Sequence, residues 1–438
     1  MDTRRREVLA GALGIGLAAA MSEAIAHAPP ATNAASAPTD AKPAAPKLSM
    51  GEKLATAATE NRSKLDFDGH TFSGPAWDIL LREGQSAYFF LLGEEHGVAQ
   101  IPALTSQLLL ALKPSGYQRL AIEISAPVAA ELDKAAFSGI EGIRKFIADF
   151  PPGPAFYNMK EEAEMLAAVR PKFPASPQMI WGLDYEVIQD RRLIARLKAK
   201  APASAKTAVQ ALSDASTAAW KQFDATRNPQ FIFSFSGDPQ LVRDIRTAWE
   251  NPDAATAQIL DVLEGTLETN SFWVKQKGWE SNQRRMTLMR RTFVNYWRAE
   301  KAQGRAPKTF FKMGVEHMVR GSDMQEVYDI GSLASECATL EGGHSFHVMV
   351  VPPTGGMHAQ FNPSTMKVDP VPEENLDREG FGFLADLAYK DAFTLIDLRP
   401  LRAVLGYDVK TVDPRGVKVI HGFDAMLVLP GSIPSTML

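Results

Sequence analysis

The stretch Ala87-Tyr88-Phe89-Phe90-Leu91-Leu92-Gly93-Glu94-Glu95-His96-Gly97 decides how this chain is read. Its first half is continuous and apolar, the pattern of a strand buried on both faces of a helix-covered parallel sheet. From Val98 onward the spacing turns helical, with Ile101, Leu104, Leu108 and Leu112 on one stripe. A strand, a turn and a helix in that order carry the turn to the carboxyl edge of a parallel sheet, where α/β proteins place their sites. Glu94, Glu95 and His96 are poor core residues and good acid/base residues, so they are the first candidates.

Working outward, 119–124 reads as a second strand with Glu123 near its end. Residues 179–185 read as a third, closing on Asp184. Residues 308–314 resume the sheet and run into Val315-Glu316-His317. Further strands are expected at 345–351, 393–398 and 425–429, the last inside a hairpin-like end, 416–429, that adds an antiparallel edge. Between 188 and 305 no strand pattern stands out. That segment is rich in Ala, Leu, Lys and Gln, carries Trp220, Trp249, Trp273, Trp279 and Trp297, and reads as a helical insertion. The expected fold is therefore α/β: a mainly parallel central sheet flanked by helices, in two parts, 48–187 and 306–438, with the 188–305 insertion forming a lid.

The 438 residues are 45% hydrophobic and 22% charged, in the range of a globular protein. The net charge of −4 and the lack of a clustered basic face exclude nucleic acid as the expected partner. Residues 1–28 read as a targeting signal. Thr3-Arg4-Arg5-Arg6-Glu7-Val8-Leu9 has the arginine pair of a twin-arginine leader, 8–21 is an apolar core too short to span a membrane, and Ala26-His27-Ala28 is a small-residue cleavage site. Residues 29–47, rich in Ala and Pro, read as a disordered linker. Export to the periplasm follows as the expectation, with no stable membrane anchor after cleavage. Cys337 is the single cysteine, so no intramolecular disulfide forms; it falls in an amphipathic helix over 331–340 as a packing residue.

Gly314-Val315-Glu316-His317 echoes Gly93-Glu94-Glu95-His96. If the four strands are neighbours, two histidines and several carboxylates converge on one edge. That set serves general acid/base catalysis or a divalent cation, Mn²⁺ or Zn²⁺, on His96, Glu123 and His317. Arg285, in Ser281-Asn282-Gln283-Arg284-Arg285-Met286, shares a helix face with Met289 and is the cation expected to turn inward; Arg290 and Arg291 read as a solvated face. No His-Glu-x-x-His and no phosphate-binding loop is present. Gly343-His344-Ser345-Phe346-His347 mimics a nucleophile elbow, but apolar residues follow where that motif needs a helix. His344, His347 and His358 are an alternative metal cluster, for which ordinary strand and loop positions are the simpler reading. His70 sits in an access loop and His421 precedes a strand; neither receives a role.

These pieces resemble the erythromycin esterase family, in the wider clan that includes the Tiki/TraB proteases and the ChaN-type haem-uptake proteins. Gly93-Glu94-Glu95-His96-Gly97 resembles the family's Gly-Glu-x-x-His-Gly, one residue shorter. Leu120-Ala121-Ile122-Glu123, Gly182-Leu183-Asp184, Arg285 to Met289, Leu395-Ile396-Asp397-Leu398-Arg399 and Phe423-Asp424-Ala425-Met426-Leu427 resemble its later signatures, in the same order. Gly314 replaces the first histidine of a His-Asn-x-His segment, while His317 keeps the second. Thr105 falls where a basic residue is frequent and Gln100 where a glutamate is. The resemblance implies a periplasmic hydrolase acting on an ester or related carbonyl bond of a small-molecule substrate. His96 would be general base on a water, oriented by Glu94 or Glu95, with Glu123 ordering that water or a histidine. His317 and Arg285 would hold the developing oxyanion, and Asp184 would face the substrate. A haem- or metal-binding protein and a metal-dependent peptidase are the rival readings.

Overall fold

The computed structural model describes residues 48–374, 376 and 380–438; the expected leader, 1–28, and linker, 29–47, lie outside the described residues. Among the described residues there are eleven strands: β1 Arg62–Phe67, β2 Phe72–Ser73, β3 Phe89–Glu94, β4 Tyr117–Ser125, β5 Ile180–Asp184, β6 Lys308–Gly314, β7 Ser345–Val351, β8 Met357–Asn362, β9 Lys367–Pro372, β10 Phe393–Asp397 and β11 Ala425–Val428. Nine form one sheet in the order β2-β1-β10-β11-β7-β3-β6-β4-β5, and β8 and β9 form a separate hairpin. From β11 to β5 every neighbouring pair is parallel. β10, β1 and β2 add an antiparallel edge. The sheet is thus mainly parallel and flanked by helices, as expected, and it interleaves strands from both expected core parts.

Every residue of β3 is buried, which is why its sequence alternates nothing. Phe90 and Leu92 pack into one core with Phe310; Phe89 and Leu91 pack into the other with Phe311 and Met313. From β3 the chain moves out to β4 and β5, returns to β6 between β3 and β4, then passes to β7 on the far side of β3. That reversal leaves a crevice above the carboxyl ends of β3 and β6.

Three expectations are corrected. The C-terminal end is no antiparallel hairpin: Pro414–Gly422 is a helix, and β11 lies inside the sheet, parallel to β7. The antiparallel edge comes instead from β10 and from β1, whose Arg-Ser-Lys-Leu-Asp-Phe buries Leu65 alone among its residues. The insertion is helical, but its last helix, Gly278–Ala302, is a layer of the core. Met286, Met289, Phe293 and Trp297 pack on Phe89, Leu91, Trp181 and Phe311. Trp220, Trp249 and Trp297 are buried, and Trp279 is exposed on the surface. No helix among the described residues is long and apolar enough to cross a membrane.

Candidate functional site

β3, β4, β5 and β6 deliver Glu94, Glu123, Asp184 and the Gly314 turn to one edge, and the helix Gly278–Ala302 reaches over it with Arg285. Glu123 is the hub. One of its oxygens, Oε2, accepts the Gly314 backbone N–H at 2.8 Å; the other, Oε1, accepts Arg285 Nη2 at 2.8 Å and lies 3.2 Å from His317 Nε2. Arg285 also grips Asp184 with two bonds, Nε to Oδ1 at 2.9 Å and Nη2 to Oδ2 at 2.6 Å. His317 Nδ1 lies 2.5 Å from Asp329 Oδ2. His96 Nδ1 pairs with Glu94 Oε1 at 3.0 Å. Its Nε2 faces Glu123 Oε2 at 3.2 Å, at an angle outside hydrogen-bond geometry, and is buried without another partner.

A lone ion moved into a protein interior costs several kcal/mol, so buried charges persist only when matched. Here four cationic side chains, His96, His317, Arg285 and Lys312, interleave with Glu94, Glu123, Asp184 and Asp329. Burial would raise the Glu123 carboxyl, but His317 and His96 beside it hold it well below the usual range. Burial would lower His96, but Glu123 and then Glu94 outweigh it and raise His96 to about 10. His317 is raised well above an ordinary histidine, because Asp329 and Glu123 outweigh its burial.

Three participants went unread in the sequence. Lys312 is buried in mid-strand on β6 and donates to Glu94 Oε1 at 2.6 Å and Glu162 Oε1 at 2.5 Å. A single lysine inside Phe310-Phe311-Lys312-Met313 is the signal that was there to be read. Glu162 is pushed up to about 7 by burial, with Lys312 opposing. It hides in the first turn of the helix Lys160–Val169, where acids usually cap into solvent. Asp329 caps the helix Ile330–Leu340, accepting the Ile330 N–H at 2.6 Å.

Other expected residues land differently. Arg285 is inward-facing as expected, but Asp184 and Glu123 occupy it, so it holds carboxylates rather than an oxyanion. Asp184 is buried and holds the Arg285 guanidinium. Glu94, not Glu95, orients His96; Glu95 turns towards His358, 4.0 Å away. Arg285 and the Gly314 N–H each bond one Glu123 oxygen, so a divalent cation on His96, Glu123 and His317 would share that carboxylate with them. His344, His347 and His358 do not gather. His347 is buried on β7 between Met318 O at 2.7 Å and Ser345 Oγ at 2.7 Å, and its burial pushes it down to about 3. Gln100 ties down the C-terminal tail, its Nε2 donating to Gly431 O and its Oε1 accepting the Ile433 N–H.

The cover over His96 does not come from the insertion. Phe156 stacks on the imidazole, ring centres 3.8 Å apart and 12° from parallel. Met159 and the β8–β9 hairpin residues His358, Ala359, Gln360, Phe361 and Val368 complete the wall, leaving room for about one water. Gly97 sets this closure. Its φ is +78°, and a Cβ there would stand 2.1 Å from Ala359 O. The Ala359 N–H donates to Gly97 O at 2.9 Å. Gly314 is set by the same close approach: a Cβ there would stand 3.0 Å from His96 Nε2 and 3.3 Å from Glu123 Oε2, so a larger side chain would push into the pair.

Neither a protein-family model nor a curated protein sequence matches the chain. Solved structures do match its fold. A protein from Bacillus cereus is similar at 16% identity and TM-score 0.56, over 89% of this chain and 99% of that one. A succinoglycan biosynthesis protein is similar at 16% identity and TM-score 0.55, over 90% and 100%. A histidine-to-asparagine mutant of an erythromycin esterase, in its open conformation, is similar at 14% identity and TM-score 0.56, over 85% and 98%. The chain has the fold of these proteins, an erythromycin esterase among them.

Proposed function

We propose that the protein hydrolyses an ester or related carbonyl bond of a small molecule in the periplasm, with His96 activating a water. One observation carries this reading. The buried Nε2 of His96 has no hydrogen-bond partner yet is flanked by a fixed carboxylate, and the His96 ring forms part of the wall of a small cavity under the cover. Glu94, accepting at Nδ1, selects the tautomer that leaves Nε2 able to take a proton. Glu123, fixed by Gly314 and Arg285, aligns the water. The His317 cation, anchored by Asp329, faces Glu123 Oε1 and helps fix the carboxylate that aligns the water.

In the closed site Glu123 keeps the proton on His96, so base catalysis requires opening. Water or substrate entering beside Glu123 screens the pair and returns His96 towards ordinary basicity. Such an opening would lift Phe156 from the His96 ring. Phe156 has φ 63°, a conformation costing on the order of 1–3 kcal/mol for a residue other than glycine. Its stacking on His96 returns only about 0.5–1.5 kcal/mol. The fold neighbour in an open conformation supports such a motion.

The test is a panel of esters assayed on wild type and His96→Ala, with and without chelator. Hydrolysis by wild type that falls about a hundredfold to ten-thousandfold in a folded His96→Ala is the expected result. Near-normal turnover in the variant would remove His96 from the chemistry.

A further inference from the structure

Outside the catalytic cluster, Glu95, His358 and Glu373 present one donor atom each within 4.8 Å of one another. His358 lies on β8 opposite Val371 of β9. Glu373 is two residues past Val371, so the strand period of two returns it to the face that His358 occupies. Glu95 comes from the turn after β3, held by its N–H to Val350 O at 2.9 Å. Three separate pieces of chain thus meet: the catalytic turn and both strands of the covering hairpin.

The spacing is that of ligands, not of hydrogen bonds. His358 Nδ1 stands 3.8 Å from Glu373 Oε2, and His358 Nε2 stands 4.0 Å from Glu95 Oε1. Both exceed hydrogen-bond reach. An imidazole gives an ion one nitrogen, so only one of these two distances counts towards a single site; metal–ligand bonds of 2.0–2.2 Å in a tetrahedron set donors about 3.4 Å apart, and the three donors, within 4.8 Å of one another, close on an ion by shifts of about an ångström. The His358 side chain is 91% buried, taken from its 9% exposure, and Nδ1 has no hydrogen-bond partner. A buried polar atom left in that condition is destabilising, and a bound cation would satisfy it. One neutral imidazole and two carboxylates suit a first-row divalent ion, with Zn²⁺ preferred over Mn²⁺ at equal geometry.

We propose that Glu95, His358 and Glu373 bind one divalent transition-metal ion that clamps the β8–β9 hairpin onto the turn bearing His96. This ion is structural, and its site stands independently of whether the neighbouring cluster hydrolyses esters. It leaves the fourth position to water and uses no residue of the His96–Glu123–His317 set.

The full chain is stripped with chelator, dialysed against Zn²⁺ and assayed for bound metal and melting temperature, with hydrogen exchange followed over 356–373. The expected result is one equivalent of Zn²⁺, a raised melting temperature and slowed exchange in the hairpin. His358→Ala should lose the ion and the shift, while His344→Ala, at a loop position outside the group, keeps both. Glu95→Gln, on the partly exposed turn, weakens binding at least tenfold and serves if His358→Ala does not fold. Wild type that retains less than half an equivalent, or His358→Ala that still binds one with unchanged affinity, would overturn the proposal.

Discussion

At the scale of single residues the site turns on where protons and carbons are allowed. Gly314→Ala is expected to keep the fold and lose at least tenfold in kcat/KM, because its Cβ would stand 3.0 Å from His96 Nε2. Turnover equal to wild type would show that the pair has slack. The pH dependence follows from His96. Its raised value, about 10, means the unliganded protein carries the proton through neutrality, and the base form appears only as pH rises. The account therefore predicts kcat/KM climbing through alkaline pH, the limb reporting the free enzyme. Glu94 helps raise His96, so Glu94→Gln should move that limb to lower pH. A limb that stays in place, or moves up, would contradict this assignment. Several of these residues were legible in the sequence because acids and histidines at apolar strand ends have few structural uses. Asp329 was not: before a helix an aspartate reads as a cap, and it is one here as well. Lys312 was visible but unassigned, since nothing local shows that its partners come from β3 and from a helix far along the chain.

At the scale of elements, legibility followed burial. β3, β6 and β7 are buried along nearly their whole length, so their apolar runs announce them. β1, next to the two-residue edge strand β2, and β9, in the two-stranded hairpin, have mostly polar or proline-bearing sequences, Arg62–Phe67 and Lys367–Pro372, and carry no such signal. That is why the hairpin that covers His96 went unread and the helical insertion received its role. Gly97 is where the hairpin meets the turn. Gly97→Ala would force a Cβ to within 2.1 Å of Ala359 O at a φ of +78°, so the hairpin must lift. A destabilisation above about 1 kcal/mol is expected, with faster amide exchange across 356–373. Unchanged melting and exchange would mean that the hairpin docks by other contacts.

At the scale of the whole molecule, the winding of the sheet does the assembling. His96 follows β3, Glu123 ends β4, Asp184 ends β5 and His317 follows β6, and the return of β6 between β3 and β4 brings the two histidines to opposite sides of one carboxylate. Residues up to 221 positions apart become a single hydrogen-bonded and ion-paired unit, His96 to His317, through Glu123 alone. If that unit is the catalytic machinery, its members fail together rather than separately. The direct measurement is a double-mutant cycle on the ester that wild type turns over best, with kcat/KM determined for wild type, His96→Ala, His317→Ala and the double variant, each checked for folding. The account predicts that once His96 is gone, removing His317 costs less than about threefold more. Losses that multiply in full in the double variant would show two histidines acting independently and would contradict a single site centred on Glu123.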